Sequence, residues 1–164
     1  MATQREKLGF IMSKREKIRF PIEEGKSEVE VMYAKPAGHN VYVLDNSPFY
    51  AFGISFCDEF IVKTIDGVLE FDKILSRSGH STYRIRIPNG KNHDYFLENW
   101  KELMALGCTF EGSSANSKRL YAIDVPPSSN IIDVYNTMQK IEDLGIWEFE
   151  EGHYCDPDDI KTVN

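Results

Sequence analysis

Near residue 80 the hydrophobic rhythm of this chain changes, and that change constrains the fold more than any other feature. Before it the apolar runs read as strands; after it, strand-like runs are separated by stretches with a helical period. Ser27 to Tyr33 alternates Val29, Val31 and Tyr33 with Glu28 and Glu30, which predicts a half-buried strand with the valines and the tyrosine inward. Lys35-Pro36-Ala37-Gly38 breaks the run, Asn40 to Leu44 gives a second strand, and Asp45-Asn46-Ser47-Pro48 closes it with turn-forming residues. Phe49 to Phe56 reads as an irregular strand with a bulge at Gly53. Phe60 to Ile65 and Val68 to Leu75 flank Asp66-Gly67, a pair that tolerates the positive φ of a two-residue hairpin. Five short strands in succession predict a small antiparallel β-barrel, SH3-like, over residues 27–80.

The second half follows another order. Thr82 to Ile87 alternates Tyr83, Ile85 and Ile87 with Thr82, Arg84 and Arg86, and Pro88-Asn89-Gly90 ends it. Asn92 then reads as an N-cap, Phe96, Trp100, Leu103 and Met104 recur at helical spacing, and Gly107 supplies the stop. Cys108 to Glu111 and Lys118 to Val125 form a hairpin around the polar stretch Gly112 to Ser117. Pro126-Pro127-Ser128-Ser129 offers the cap of a second helix marked by Ile131, Val134, Met138 and Ile141 and stopped at Gly145. Ile146 to Glu150 alternates once more. The resulting βαββαβ order predicts a ferredoxin-like half over residues 81–154, so the chain as a whole is read as α+β. Residues 1–26 are left as an N-terminal arm, partly disordered, and 155–164 as an acidic tail.

Composition bounds what such a chain can do. With 164 residues and 41% apolar content it can bury one sizeable core or two small ones. Cys57, Cys108 and Cys155 are an odd set without C-x-x-C spacing, which favours reduced thiols and a cytoplasmic location. No window is apolar over the length of a membrane span. The net charge is −7, and its distribution is uneven. From residue 142 onward eight acids (Glu142, Asp143, Glu148, Glu150, Glu151, Asp156, Asp158, Asp159) face one base, Lys161, so this end alone carries −7. Residues 1–26 hold seven bases against four acids, too few to make a nucleic-acid module of an acidic protein. Arg84 and Arg86, beside Lys118 and Arg119 across the expected hairpin, form at most a modest basic strip.

Signals for chemistry are sparse. No P-loop, G-x-G-x-x-G or G-x-S-x-G occurs, and His39, His80, His93 and His153 lack metal-ligand spacing, so neither cofactor nor metal is expected. Ser78-Gly79-His80-Ser81-Thr82 is the strongest candidate cluster: His80, Ser81 and Arg84, with Asp58, could surround an anion. The same residue types serve turns equally well, with Gly79 at positive φ and the hydroxyls capping backbone groups.

Asp45-Asn46-Ser47-Pro48-Phe49, Asp58, the Asp66-Gly67 hairpin, and Ser78-Gly79-His80-Ser81-Thr82 with Arg84 together resemble a bacterial family known as a domain of unknown function, DUF4265, across residues 28–150. The resemblance implies a small cytoplasmic bacterial protein and brings no activity with it. The residues themselves favour a binding protein over an enzyme. Trp147 and Phe149 alternate with Glu148 and Glu150, and an aromatic face ringed by Glu148, Glu150, Glu151, Asp156 and Asp158 would suit a basic protein partner. The leading expectation is an immunity-type inhibitor that neutralises a cognate bacterial toxin, a basic nuclease. The alternative is a small-molecule-sensing or regulatory module with its anion site near His80 and Arg84. Whether the chain is a monomer or a homodimer is left open.

Overall fold

The computed structural model describes residues 14–23, 25–112 and 119–160. Their fold is mixed α+β, with two antiparallel sheets and three helices among the described residues. The first sheet contains β1 (Glu16–Pro21), β2 (Val29–Gly38), β3 (Val41–Leu44), β4 (Glu59–Ile65) and β5 (Val68–Ser76), joined in sequence order. It closes into a barrel where β1 meets β5 at the parallel pairing Arg19↔Glu70. The second sheet has the order β7-β8-β6-β9, from β6 (Ser81–Arg86), β7 (Thr109–Glu111), β8 (Leu120–Val125) and β9 (Glu148–His153). Helices α1 (His93–Ala105) and α2 (Ile131–Asp143) pack on one of its faces, and a single turn, α3 (Pro157–Ile160), follows β9.

Each half has its own core. In the barrel Ile18, Phe20, Met32, Leu44, Phe60 and Val62 are buried together, with Phe20 edge-on to Phe60 at 5.2 Å between ring centroids. In the second half Tyr83, Ile85, Tyr121 and Ile123 point from the sheet at Phe96, Trp100, Val134 and Met138 of the helices. Phe96 lies parallel to Tyr121, with centroids 3.6 Å apart.

Sequence rules account for the joints. Asp66 and Gly67 take φ of 51° and 77°, the double positive value a two-residue hairpin needs, and Ile65 pairs Val68 around them. Asn92 caps α1 by accepting the Tyr95 N–H, and Gly107, at φ 96°, ends it. The cap of α2 is Asn130, whose side chain accepts from Ile132 and Asp133, and not the serines at 128 and 129.

Three expectations are corrected. The stretch 1–26 is not an arm throughout: Glu16–Pro21 is β1, with Ile18 and Phe20 in the core, while residues 1–13 lie outside the described residues. The inward face of β2 is the other one: Met32 and Ala34 are buried, whereas Val29, Val31 and Tyr33 are exposed. With a period of two, choosing the wrong parity turns every side chain over. Residues 49–56 form no strand; they belong to a long irregular loop, 45–58, between β3 and β4.

Candidate functional site

The alternation of β6 puts Thr82, Arg84 and Arg86 on the face turned away from the helices. Their cross-strand neighbours there are Asp124, Ala122 and Leu120 on β8, and His153, Glu150 and Glu148 on β9. Much of this polar face is covered by loop 45–58, which the barrel holds from the other side. Glu30 of β2 accepts the backbone N–H groups of Phe49, Tyr50 and Ala51 at 2.8, 2.9 and 2.8 Å. Asn46 accepts from Tyr33 N–H, and Glu111 of β7 accepts from Ser47 N–H at 3.0 Å.

Arg84 is the centre of this junction. It is 1% exposed, and its guanidinium donates to the carbonyls of Ala51 (2.7 Å) and Tyr50 (3.2 Å) and, through Nε, to Glu150 (3.0 Å). Phe52 lies over it, the ring centroid 4.4 Å from Cζ. Removing a charge from water is costly unless its donors are met, and here acceptors from two elements meet them. Asp58, 0% exposed, plays the complementary part: it accepts from Ser55 N–H, Ser78 N–H and Arg77 Nη1 at 2.9, 2.9 and 3.1 Å. Ser81 Oγ accepts the Cys155 N–H at 3.0 Å, tying the chain after β9 to the start of β6. His80 places Nδ1 2.8 Å from Asp124 Oδ1, under the edge of the Phe56 ring. The structure thus brings Asp58, His80, Ser81 and Arg84 into one region and engages each inside the fold.

Two arrangements there resemble parts of a catalytic site. Ser55 Oγ lies 2.9 Å from His153 Nδ1 and 2.7 Å from Thr82 Oγ1. Ser55 is fully buried, so no substrate carbonyl can approach its oxygen. Burial, followed by the Arg77 charge, pushes the His153 pKa down. His80 has the carboxylate that orients a catalytic imidazole, but among the described residues its other ring nitrogen meets no hydroxyl or thiol. The thiols are held protonated: burial raises Cys57 and Cys155 and drives Cys108 to about 12. Among the described residues no three His, Cys, Asp or Glu side chains gather as a metal would require.

The acidic end divides differently from the expectation. Trp147 is 2% exposed and belongs to the core beneath the helices, where it packs against Phe96; it is no surface anchor. Glu150 projects to solvent but is the counter-ion of Arg84, and Glu151 accepts from Tyr83 Oη at 3.1 Å. Glu148 is exposed, as are Asp156 and Asp158 around the start of α3. Strand β9 is a sheet edge, and of its outer backbone groups Gly152 C=O receives Gly53 N–H at 3.1 Å. Along this edge runs an apolar groove of about 290 Å³ lined by Ile132, Tyr135 and Tyr154 with Glu151 on its rim. These three apolar residues are exposed. Sequence reasoning passed over them, although Ile132 and Tyr135 fall outside the buried stripe Val134, Met138, Ile141 of α2, which is where a surface anchor on a helix must lie.

A family model described as a domain of unknown function (DUF4265) matches residues 30–149. A solved structure described as a hypothetical protein from Neisseria gonorrhoeae is similar in fold, with a TM-score of 0.67 at 16% identity over 87% of this chain and 98% of that one. No curated protein matches the chain. No helix among the described residues is long and apolar enough to cross a membrane.

Proposed function

The chain belongs to the DUF4265 family, and from that premise we propose that it is a cytoplasmic protein-binding module of the immunity type, which docks a basic toxin on the β9 edge. The observation that carries the reading is the union of three features on one face. Beyond Gly152 C=O and Phe149 N–H, which are engaged within the molecule, the strand edge can take up a partner's backbone, exposed Tyr135, Tyr154 and Ile132 offer apolar anchors, and Glu151 on the groove attracts positive charge. Charge would speed the encounter, and the tyrosines would set the lifetime of the complex. The closed five-stranded sheet is read as SH3-like. The order β7-β8-β6-β9 supports reading the second half as ferredoxin-like, with β9 at its edge.

An anion site at His80 and Arg84 draws less support, because Arg84 is buried and its donors already meet three acceptors. The test of the docking reading is co-expression with the neighbouring genes, followed by capture through moderate salt. A stoichiometric basic partner held by the wild type and lost with Tyr154→Ser and Glu151→Lys is the expected result. A partner that survives both substitutions would move the interface elsewhere, and no partner at all would overturn the reading.

A further inference from the structure

We propose that the cleft where β6 ends and β9 begins binds a small zwitterion that carries both a carboxylate and an amine, such as a free amino acid or a short peptide. The cleft encloses about 700 Å³, and Arg86, Arg119, Glu142, Glu148 and Trp147 are among its walls. It is distinct from the docking groove, shares neither Tyr154 nor Glu151 with it, and the inference does not depend on the docking reading.

The first observation is the indole of Trp147. The residue is buried and lines the cleft, yet its Nε1–H has no hydrogen-bond acceptor among the described residues. Buried donors are nearly always satisfied, and Trp carries a single one, so an indole N–H orphaned among the described residues marks this wall as one where an acceptor is wanting, which a ligand could supply once the wall adjusts around it.

The second observation is that the charges lining the cleft do not neutralise one another. Arg86 and Glu148 are direct cross-strand neighbours, but no ion pair within 4.0 Å joins them among the described residues. Arg119 gives Nη1 to the Ile87 carbonyl at 3.1 Å, which fixes the side chain, and its other donors meet no acceptor among the described residues. The Arg119 backbone is held at φ 56°, a conformation that costs energy for a residue with a Cβ. Glu142 accepts Phe149 N–H through one oxygen at 2.9 Å, and its other oxygen meets no donor among the described residues.

Two bases and two acids with unused capacity define the ligand class. A simple anion would meet Glu142 and Glu148, and a simple cation would meet both arginines. A molecule with charges of both signs satisfies all four. Its carboxylate fits Arg86 and Arg119, where planar guanidinium donors match its two oxygens. Its amine fits Glu142 at the C-terminal end of α2, the negative end of the helix dipole.

Trp147 supplies the readout. In a ¹⁵N-labelled sample the indole N–H resonance of Trp147 is followed while each proteinogenic amino acid and a set of glycyl dipeptides are added at millimolar concentration, with inorganic phosphate as a control. Trp100, buried in the core away from the cleft, is the internal reference. A saturable downfield shift of Trp147 alone is expected for at least one compound. Its N-acetyl and amide derivatives should bind at least about tenfold more weakly, the scale of one charge-assisted hydrogen bond. Arg86→Gln should weaken binding to a similar degree while leaving the melting temperature unchanged, since Arg86 is exposed and without an internal partner among the described residues. The proposal is overturned if no compound moves the Trp147 resonance, if phosphate moves it as strongly as any zwitterion, or if Arg86→Gln binds like the wild type.

Discussion

Arg84 and Arg86 sit two residues apart on one face of one strand, and they share almost nothing else. Arg84 is sealed under loop 45–58, with two carbonyls and a carboxylate around it, while Arg86 stands in an open cleft with no ion pair among the described residues. Sequence type and strand parity are identical for the two. What separates them is how far the covering loop reaches: Glu30 pins residues 49–51 over Arg84, and nothing comparable extends to the end of β6. A buried polar cluster is therefore architecture here, and the unspent binding capacity lies where the cover stops.

The comparison breaks most readily at Arg84. Arg84→Ala should destabilise the fold by about 3–5 kcal/mol, because it takes the guanidinium donor from the buried Ala51 carbonyl and opens a cavity at the junction. Arg86→Ala should change stability by no more than about 0.5 kcal/mol. Urea unfolding of both variants decides the point, and a loss below about 1 kcal/mol for Arg84→Ala would mean that loop 45–58 does not clamp the halves.

Gly152 sharpens the same contrast. A Cβ there would run into Arg84 Nη1 and lie 3.1 Å from its Cζ and 3.3 Å from the Thr82 carbonyl. The guanidinium is fixed by three acceptors and cannot swing aside, so Gly152→Ala should cost about 1–3 kcal/mol. In the double variant with Arg84→Ala the penalties should fall short of their sum, since removing the guanidinium removes the clash. Full additivity would place the cost of Gly152→Ala somewhere other than Arg84.

Much of this was legible in the sequence, and the failures share a cause. The strand 82–87, both helices, the Asp66-Gly67 hairpin and the family resemblance rest on local pattern, and the structure has a strand at Ser81–Arg86 and helices at His93–Ala105 and Ile131–Asp143. The expected five strands before residue 80 match the observed number only because two differences cancel: Glu16–Pro21 adds β1, and residues 49–56 are loop. The β1 signal lies in Ile18 and Phe20, which alternate with Lys17 and Arg19, a pattern short enough for the basic residues to mask. On β2 the valines outweighed Met32 and Ala34 in apparent hydrophobicity, and only the barrel's closure decides which parity faces inward. The candidate site carries the same ambiguity. Asp58, Ser81 and Arg84 are residue types that do chemistry when open and hold a junction when covered, and cover is a tertiary property.

Acid should probe the junction more gently. Burial lowers the His153 pKa below its ordinary value of 6.5, so the folded state resists a proton that the unfolded chain accepts. Above about pH 6.5 both states are neutral at this residue and its contribution is intact; as pH falls below that value, the unfolded chain gains the proton first and stability is lost. His153→Gln should flatten that part of the curve of melting temperature against pH that lies below about 6.5. An unchanged slope would show that His153 is as free to protonate in the fold as in the unfolded chain.

The smallest effect is expected at Ile132 on α2, where the comparison between covered and open residues recurs within two turns. Met138 is fully buried and Ile132 is 67% exposed in the groove beside β9. Met138→Ala should cost about 2–5 kcal/mol, as any well-packed core truncation does, whereas Ile132→Ser should stay within about 0.5 kcal/mol. That near-neutrality is informative, because an isoleucine of this size left in water contributes nothing to the fold and is available to a partner. If Ile132→Ser proves neutral in urea yet shortens the life of a captured complex, the groove is a binding surface. If it costs as much as Met138→Ala, Ile132 supports the core, and the docking reading loses one of its three apolar anchors.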